Sequence, residues 1–546
     1  MKRMFMLLTI LVLTIVLLGI SCSSQTPATT GAQTSQPVTI NPGTSLPATS
    51  PASQVTALSP NATSTPTGPQ PKYGGTFKII YDVGPGGPFG WPPDIVGESG
   101  VPAQLCLEGP LRQLLDGSVI PWLATSWELA QDKKSITFHL RQGIKFHDGS
   151  DFNAQAVKLT YDGDIEAKLQ PYWASVEVID DYTVKINFKE WRNTLLAGFE
   201  AYVASAESYQ KNGRAWADVN PVGTGPFIYK EFVRDVSFKA VRNPKYWQPG
   251  KPYLDAVQYL YIADPQTRLA AMQANAGDAM VVGLKKEAAD LKNAGFKVIT
   301  QVQAINSLVP DSANPDSPYA NQKVREALEY AIDKEAIASG LGYGMWQAPY
   351  QIVPRSNSAW DPNFGPVRKY DPAKAKQLLA EAGYPNGFKT TIIPSPTASF
   401  NLDVCVAIQS YLDKVGIKAE IQVVEYAKYL TYRNGAWKNA LLIEPMASWA
   451  NYNQTLAAYF TPNTTTLASL KKSDEFLALF NASLQSTEPD VTLIRQVVKQ
   501  IYDEAMVITV YEGGKGYGVW DYVQNPGFIT RGFPTYWTPE NAWLSK

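Results

Sequence analysis

Residues 121–151 read PWLATSWELAQDKKSITFHLRQGIKFHDGSD, from Pro121 to Asp151, and this run decides how the chain is read. Its middle alternates, with Ile136, Phe138 and Leu140 on one side and Thr137, His139 and Arg141 on the other, the period of a half-buried strand. Gly143 and the His147-Asp148-Gly149 triplet then mark turns. Ahead of the strand, Pro121-Trp122-Leu123-Ala124 and Ser126-Trp127-Glu128 form an aromatic segment able to pack against it. His147 beside Asp148 could suggest a base and its orienter. Adjacent residues point apart, however, and no nucleophile is in view, so a turn after a strand is the better reading.

Outward from that run the chain alternates strands and helices. Phe77, Ile79 and Tyr81 give a strand, followed by a Gly/Pro-rich loop from Gly84 to Pro93 that contains Phe89 and Trp91. A helix is expected near 154–169. A hairpin follows, with Val176 and Val178 paired across Asp180-Asp181 with Val184, Ile186 and Phe188. Val257 to Ile262 read as a strand, Asp264 as a helix cap with Pro265 in the first position, and Ala279 to Val282 as the next strand. Around Ile305–Tyr319 the chain turns polar and proline-rich, and a domain crossover is expected there. Val324, Leu328 and Ile332 make one helical stripe. Asp371-Pro372 opens another helix that ends at Gly383. A third, carrying Val404, Ile408, Leu412 and Val415, closes at Gly416 and leads into a strand through Ile417 and Ile421. Such alternation implies α/β sheets with crossover connections.

The chain has 546 residues, more than one core usually supports, so two or three domains are expected. Its 48 Lys and Arg against 49 acidic residues argue against nucleic acid as a partner. Lys2 and Arg3 precede an apolar run from Met4 to Ile20, then Ser21 and Cys22, the layout of a secretory leader. Residues 23–71 are Thr, Pro, Ser and Ala with few large apolar side chains, an expected disordered tether with a reach of roughly 40 Å. Cys106 and Cys405 are the only cysteines beyond Cys22; two buried thiols are expected rather than a disulfide.

The 121–151 run, together with Asn153 to Val157, Pro221 to Phe227 (PVGTGPF), Asn243 to Trp247 and Pro252 to Asp255, resembles the family 5 extracellular solute-binding proteins. These are receptors that deliver peptides, nickel complexes or oligosaccharides to ABC importers. The resemblance covers the chain from about Tyr73 to its end. It implies an α/β, two-lobed, periplasmic-binding-protein-like type II fold with an extra subdomain in the first lobe. The implied layout is a leader over 1–22, a tether over 23–71, lobe I over 72–110, 216–305 and 506–546, its subdomain over 111–215, and lobe II over 306–505. Cys22 followed by Ser23-Ser24 resembles a bacterial lipoprotein site, although the usual Leu three residues earlier is Gly19. The implied protein is a monomer anchored by lipid to the outer face of the cell membrane, with ABC permease subunits as partners and no cofactor.

Family resemblance places the solute between the lobes, against the loop after the first strand (Phe89, Trp91) and the segment Leu441 to Tyr452. Peptide-binding relatives set an Asp there against the ligand's ammonium. Here Glu444 is the only carboxylate between Trp437 and Phe460, and the segment offers Trp449, Asn451, Tyr452 and Asn453 instead. Apolar faces beside amides suit a neutral polyhydroxylated or aromatic solute at least as well as a peptide. No catalytic residue and no metal site is expected. GxSxG, HExxH and paired CxxC motifs are absent, and only His139 and His147 are present. The competing class, a secreted hydrolase of peptides or polysaccharides, needs two placed carboxylates that the sequence does not pair. The glycine run Gly513 to Gly518 lacks the context of a nucleotide loop and reads as a flexible loop.

Overall fold

A computed structural model describes residues 70–546 apart from 284, 366, 397–401, 463–465 and 529–536. The expected leader, Cys22 and nearly all of the tether lie outside the described residues. The opening run folds as a strand, Ser135–Leu140, with Ile136, Phe138 and Leu140 all buried. It sits inside a four-stranded antiparallel sheet ordered Ala124–Leu129, Ser135–Leu140, Thr183–Phe188, Trp173–Asp180. The hairpin pairs Val178 with Val184 and Val176 with Ile186, the register that the alternation demands. Asn153 caps the helix Ala154–Glu166 by accepting from the Ala156 N–H. Tyr161 from that helix and Trp173 from the sheet pack with Phe199, whose ring stacks 4.8 Å from that of Trp173.

The same helix carries Asp164, buried with its Oδ2 lacking any partner. Burial pushes its carboxyl up to about 7. A raised carboxyl favours folding below the ordinary aspartate range and loses that contribution as pH climbs through 7. Between pH 4 and pH 8 the protein is therefore expected to lose on the order of 3 kcal/mol that Asp164→Asn retains, read by urea unfolding at both pH values. An equal pH dependence in the variant would refute this.

Among the described residues, a second sheet holds ten strands. In its first half, Thr76–Tyr81 lies between parallel Ala256–Tyr261 and Ala279–Gly283. The helix Pro265–Gln273 joins the outer two, capped by Asp264 accepting from the Thr267 N–H. In the second half, Lys389–Ile393 lies between parallel Lys418–Ile421 and Ala440–Ala447. Two long antiparallel strands, Lys297–Pro310 and Ile508–Val519, lie between the halves and pair from Lys297↔Val519 to Leu308↔Ile508.

The polar stretch from Ile305 is still in a strand as far as Pro310, paired with Ile508–Val519 as an extended ribbon. One expectation changes here. Gly513 to Gly518 are not a flexible loop but lie inside the Ile508–Val519 strand. The glycines serve close approach: a Cβ at Gly513 would stand 2.7 Å from Asn306 Nδ2, and one at Gly518 2.4 Å from Leu291 Cδ1.

Alternate residues of each strand enter different cores. Met280 and Val282 of the first half share one cluster with Val324 and Leu328 and with Leu441 and Ile443 of the second. Their strand neighbours part company: Ala279 and Val281 join a cluster around Phe77, and Ala440 and Leu442 one around Leu456. A second junction lies away from the ribbon. Asn193 donates from Nδ2 to the Ser483 carbonyl at 2.7 Å and accepts at Oδ1 from Asn453 Nδ2 at 3.1 Å, with both asparagines buried.

Candidate functional site

Ligands of α/β sheets collect at the carboxyl ends of parallel strands, where loops diverge and backbone groups are free. In the first half of the ten-stranded sheet those ends are Tyr81-Asp82, Tyr261 and Gly283. Asp82 Oδ1 and the Tyr261 hydroxyl are both buried without a hydrogen-bond partner. Tyr261 presses its ring against Gly84, where a Cβ would lie 3.1 Å from it. Lys515 reaches this corner from the ribbon and donates to Glu98 Oε1 at 2.8 Å. Burial opposes its charge, but Glu98 and Asp82 outweigh burial and raise the ammonium above its usual range.

The ribbon adds two more groups. Asn306 is 1% exposed, and neither its amide oxygen nor its nitrogen has a partner. Glu512, opposite Ile305 in the ladder, is 4% exposed. Burial pushes its carboxyl up to about 7 against the pull of Arg355, whose Nε is 3.8 Å away. Beside them the Tyr511 ring stacks on Trp346 at 4.0 Å.

The residues singled out in the sequence are dispersed. Phe89 is packed edge-on against Phe232 and Phe238 in the lobe I core. Trp91 stacks on Tyr209 at 4.1 Å in a separate small cluster. Glu444 lies within the Ala440–Ala447 strand, and accepts from Tyr429 at 2.5 Å and from Arg433 Nε at 3.0 Å. Burial raises its carboxyl even so, with Arg433 opposing. Trp449, Asn451 and Tyr452 do come together at one strand-to-helix junction. Trp449 is half-buried, 6.4 Å from the Tyr459 ring. Asn451 caps the helix Tyr452–Phe460 and donates to the Asn193 carbonyl at 3.4 Å, while the Tyr452 hydroxyl donates to the Ile352 carbonyl at 2.6 Å. His147 is buried and bonded through Nε2 to the Gly225 carbonyl at 2.9 Å; burial lowers its imidazole to about 4. Asp148 accepts from Ser205 and Ser208, so the pair ties loops together.

Sequence reasoning missed Asp82, Tyr261, Asn306, Arg355, Glu512 and Lys515. One signal was available: Glu512 and Lys515 are the only charges in the otherwise apolar and glycyl stretch from Met506 to Val519.

Residues 118–466 match the family described as bacterial extracellular solute-binding proteins, family 5 Middle. Heme-binding protein A of Haemophilus influenzae is 30% identical over 434 residues, 71% of this chain and 78% of its own length. The chain belongs to the family 5 bacterial extracellular solute-binding proteins. Glutathione-binding protein GsiB of Escherichia coli O1:K1 is 34% identical over 314 residues, a match spanning 56% of this chain and 60% of GsiB. Among solved structures of the fold, DppA from Helicobacter pylori in complex with the peptide STSA is 24% identical. It superposes with a TM-score of 0.71 over 87% of this family 5 chain and 99% of its own. HbpA2 from Haemophilus parasuis, at 23% identity, gives 0.75 over 86% and 100%. The two-lobed α/β fold expected from the sequence is thus the fold of this family 5 protein.

Proposed function

We propose that this family 5 protein is a receptor that captures a small organic solute between its lobes and hands it to an ABC importer, without chemical turnover. Peptides, oligosaccharides and other small organic molecules are the candidate classes, and the relatives named for glutathione and heme widen that range. The observation that carries the reading is the set of buried polar atoms left without partners at Asp82, Tyr261 and Asn306. Native proteins seldom bury such groups unsatisfied, and a bound solute supplies what is missing. Trp449 is retained as a face against the solute. Phe89, Trp91, Asn451 and Tyr452 act in this proposal by holding the bordering loops, and Glu444 by shaping the lobe II wall.

Lobe I comprises 72–305 and 506–546 in this proposal, with its subdomain over 111–215, and lobe II comprises 306–505. The receptor is a monomer tethered to the outer face of the membrane through a lipid on Cys22. Native mass spectrometry of freshly purified protein is expected to show a retained solute that denaturation releases. Prolonged incubation with candidate oligomers is expected to leave them intact. Hydrolysis of any of them, abolished by mutating the protein, would replace the receptor with an enzyme.

A further inference from the structure

Residues 306–505 meet the rest of the chain at two kinds of junction. Beside the ribbon the seam is apolar: Met280 and Leu291 lie in one cluster with Val324, Leu328 and Ile443. Where residues 111–215 meet 306–505, the junction is made by hydrogen bonds. Among the described residues, no apolar cluster holds side chains from both of those segments. Asn193 is its centre. The Asn193 N–H donates to the Leu484 carbonyl at 2.9 Å, and Nδ2 donates to the Ser483 carbonyl at 2.7 Å and to Ser486 Oγ at 2.9 Å. Its Oδ1 accepts from Asn453 Nδ2 at 3.1 Å, and Asn193, Asn453 and Ser483 are all buried. Trp191 Nε1 adds a bond to the Ser486 carbonyl at 3.2 Å. Farther along, Gln113 Nε2 donates to Gln454 Oε1 and Ser358 Oγ to the Asp116 carbonyl, each at 3.2 Å.

The two junctions respond differently to being parted. Separating an apolar seam exposes surface that water cannot compensate. Separating hydrogen-bonded faces lets water take over each partner, so the net loss per bond is small. The buried amides of Asn193 and Asn453 are matched only while the faces touch, which makes this junction specific as well as releasable. It also borders the wall assigned to the solute. Asn451, two residues beyond Trp449, caps the Tyr452–Phe460 helix and donates to the Asn193 carbonyl at 3.4 Å. We propose that Asn193, seated on Asn453 and Ser483, is a closure latch through which the 111–215 subdomain grips 306–505 and holds the receptor shut. Release occurs there, while the apolar seam beside the ribbon stays joined. The latch rests on the receptor reading above and gives the subdomain a task within it: Asn193 governs how long the solute is held without touching it.

Double electron–electron resonance on the full chain in a Cys22→Ser background tests the latch. Spin labels go on Ala174→Cys in the subdomain and Gln496→Cys in 306–505, both exposed, while Cys106 and Cys405 are buried. The parent is expected to give mainly one short distance. Asn193→Ala is expected to shift the ratio of short to long distances toward the long on the order of 30-fold, and Asn453→Ala comparably. Because the two side chains share a bond, the double variant is expected to shift it by less than the product of the single effects. A residue that only stabilised the fold would lower the melting temperature and leave the distances alone. That result, or a parent already dominated by the long distance, would overturn the latch. The two readings fail separately: unchanged distances beside a solute retained in native mass spectrometry remove the latch alone, whereas hydrolysis of a candidate oligomer removes the receptor and the latch with it.

Discussion

Lys334→Met is expected to cost about 3–5 kcal/mol of folding stability. The Lys334 ammonium contacts Glu329, both side chains are 2% exposed, and its second partner is Thr509 Oγ1 at 3.1 Å, on the long strand Ile508–Val519. Thr509 in turn donates to the Pro349 carbonyl at 2.7 Å. Removing the cation leaves Glu329 buried without its counter-charge, which is far worse than never having buried a pair. The double variant Lys334→Met with Glu329→Leu is therefore expected to recover most of the loss. Urea unfolding of the wild type and the two variants measures both numbers. A single variant within about 1 kcal/mol of wild type would show that water already reaches the pair.

Glu108→Leu carries the second large effect. Glu108 Oε1 accepts from Trp122 Nε1 and the Tyr246 hydroxyl, each at 2.8 Å, and Oε2 from Thr224 at 2.8 Å and Trp247 Nε1 at 3.0 Å. Those donors come from three separate places in the chain, so one carboxylate fastens the four-stranded sheet's leading segment to the loops around 224 and 247. An apolar replacement strands four donors, and at about 1–3 kcal/mol each, with the half-exposed indoles rehydrating, the loss is expected to reach roughly 4 kcal/mol. Glu108→Gln keeps an acceptor for some of them and is expected to fall in between. Thermal unfolding followed by tryptophan fluorescence reports both stability and the release of Trp122 and Trp247. If Glu108→Leu melts with the wild type, the carboxylate is not the fastener.

Local periodicity carried most of the secondary structure. The Ser135–Leu140 strand, the 173–188 hairpin, the capped helices at Asp264 and Asp371 and the glycine stops at Gly383 and Gly416 all depend on neighbours in sequence. The glycine-rich strand 508–519 did not read as one because its conformation is imposed by tight ladders with two partners, and glycine carries no side chain to announce a face. The site was legible only where residue type narrows the role. Trp449 and Glu444 stand out by residue type, but Arg433 and Tyr429, which pair with Glu444, lie on a preceding helix whose docking no local pattern encodes. Phe89 and Trp91 illustrate the converse: an aromatic in a Gly/Pro loop looks the same whether it meets a solute or Phe232.

The shared cluster that joins Met280 and Leu291 to Val324 and Leu328 has a mechanical outcome. Prising the halves fully apart would wet that oily seam, whereas flexing the paired strands a few degrees would not. Heat should therefore melt both halves in one step, because neither keeps a finished interior without the other.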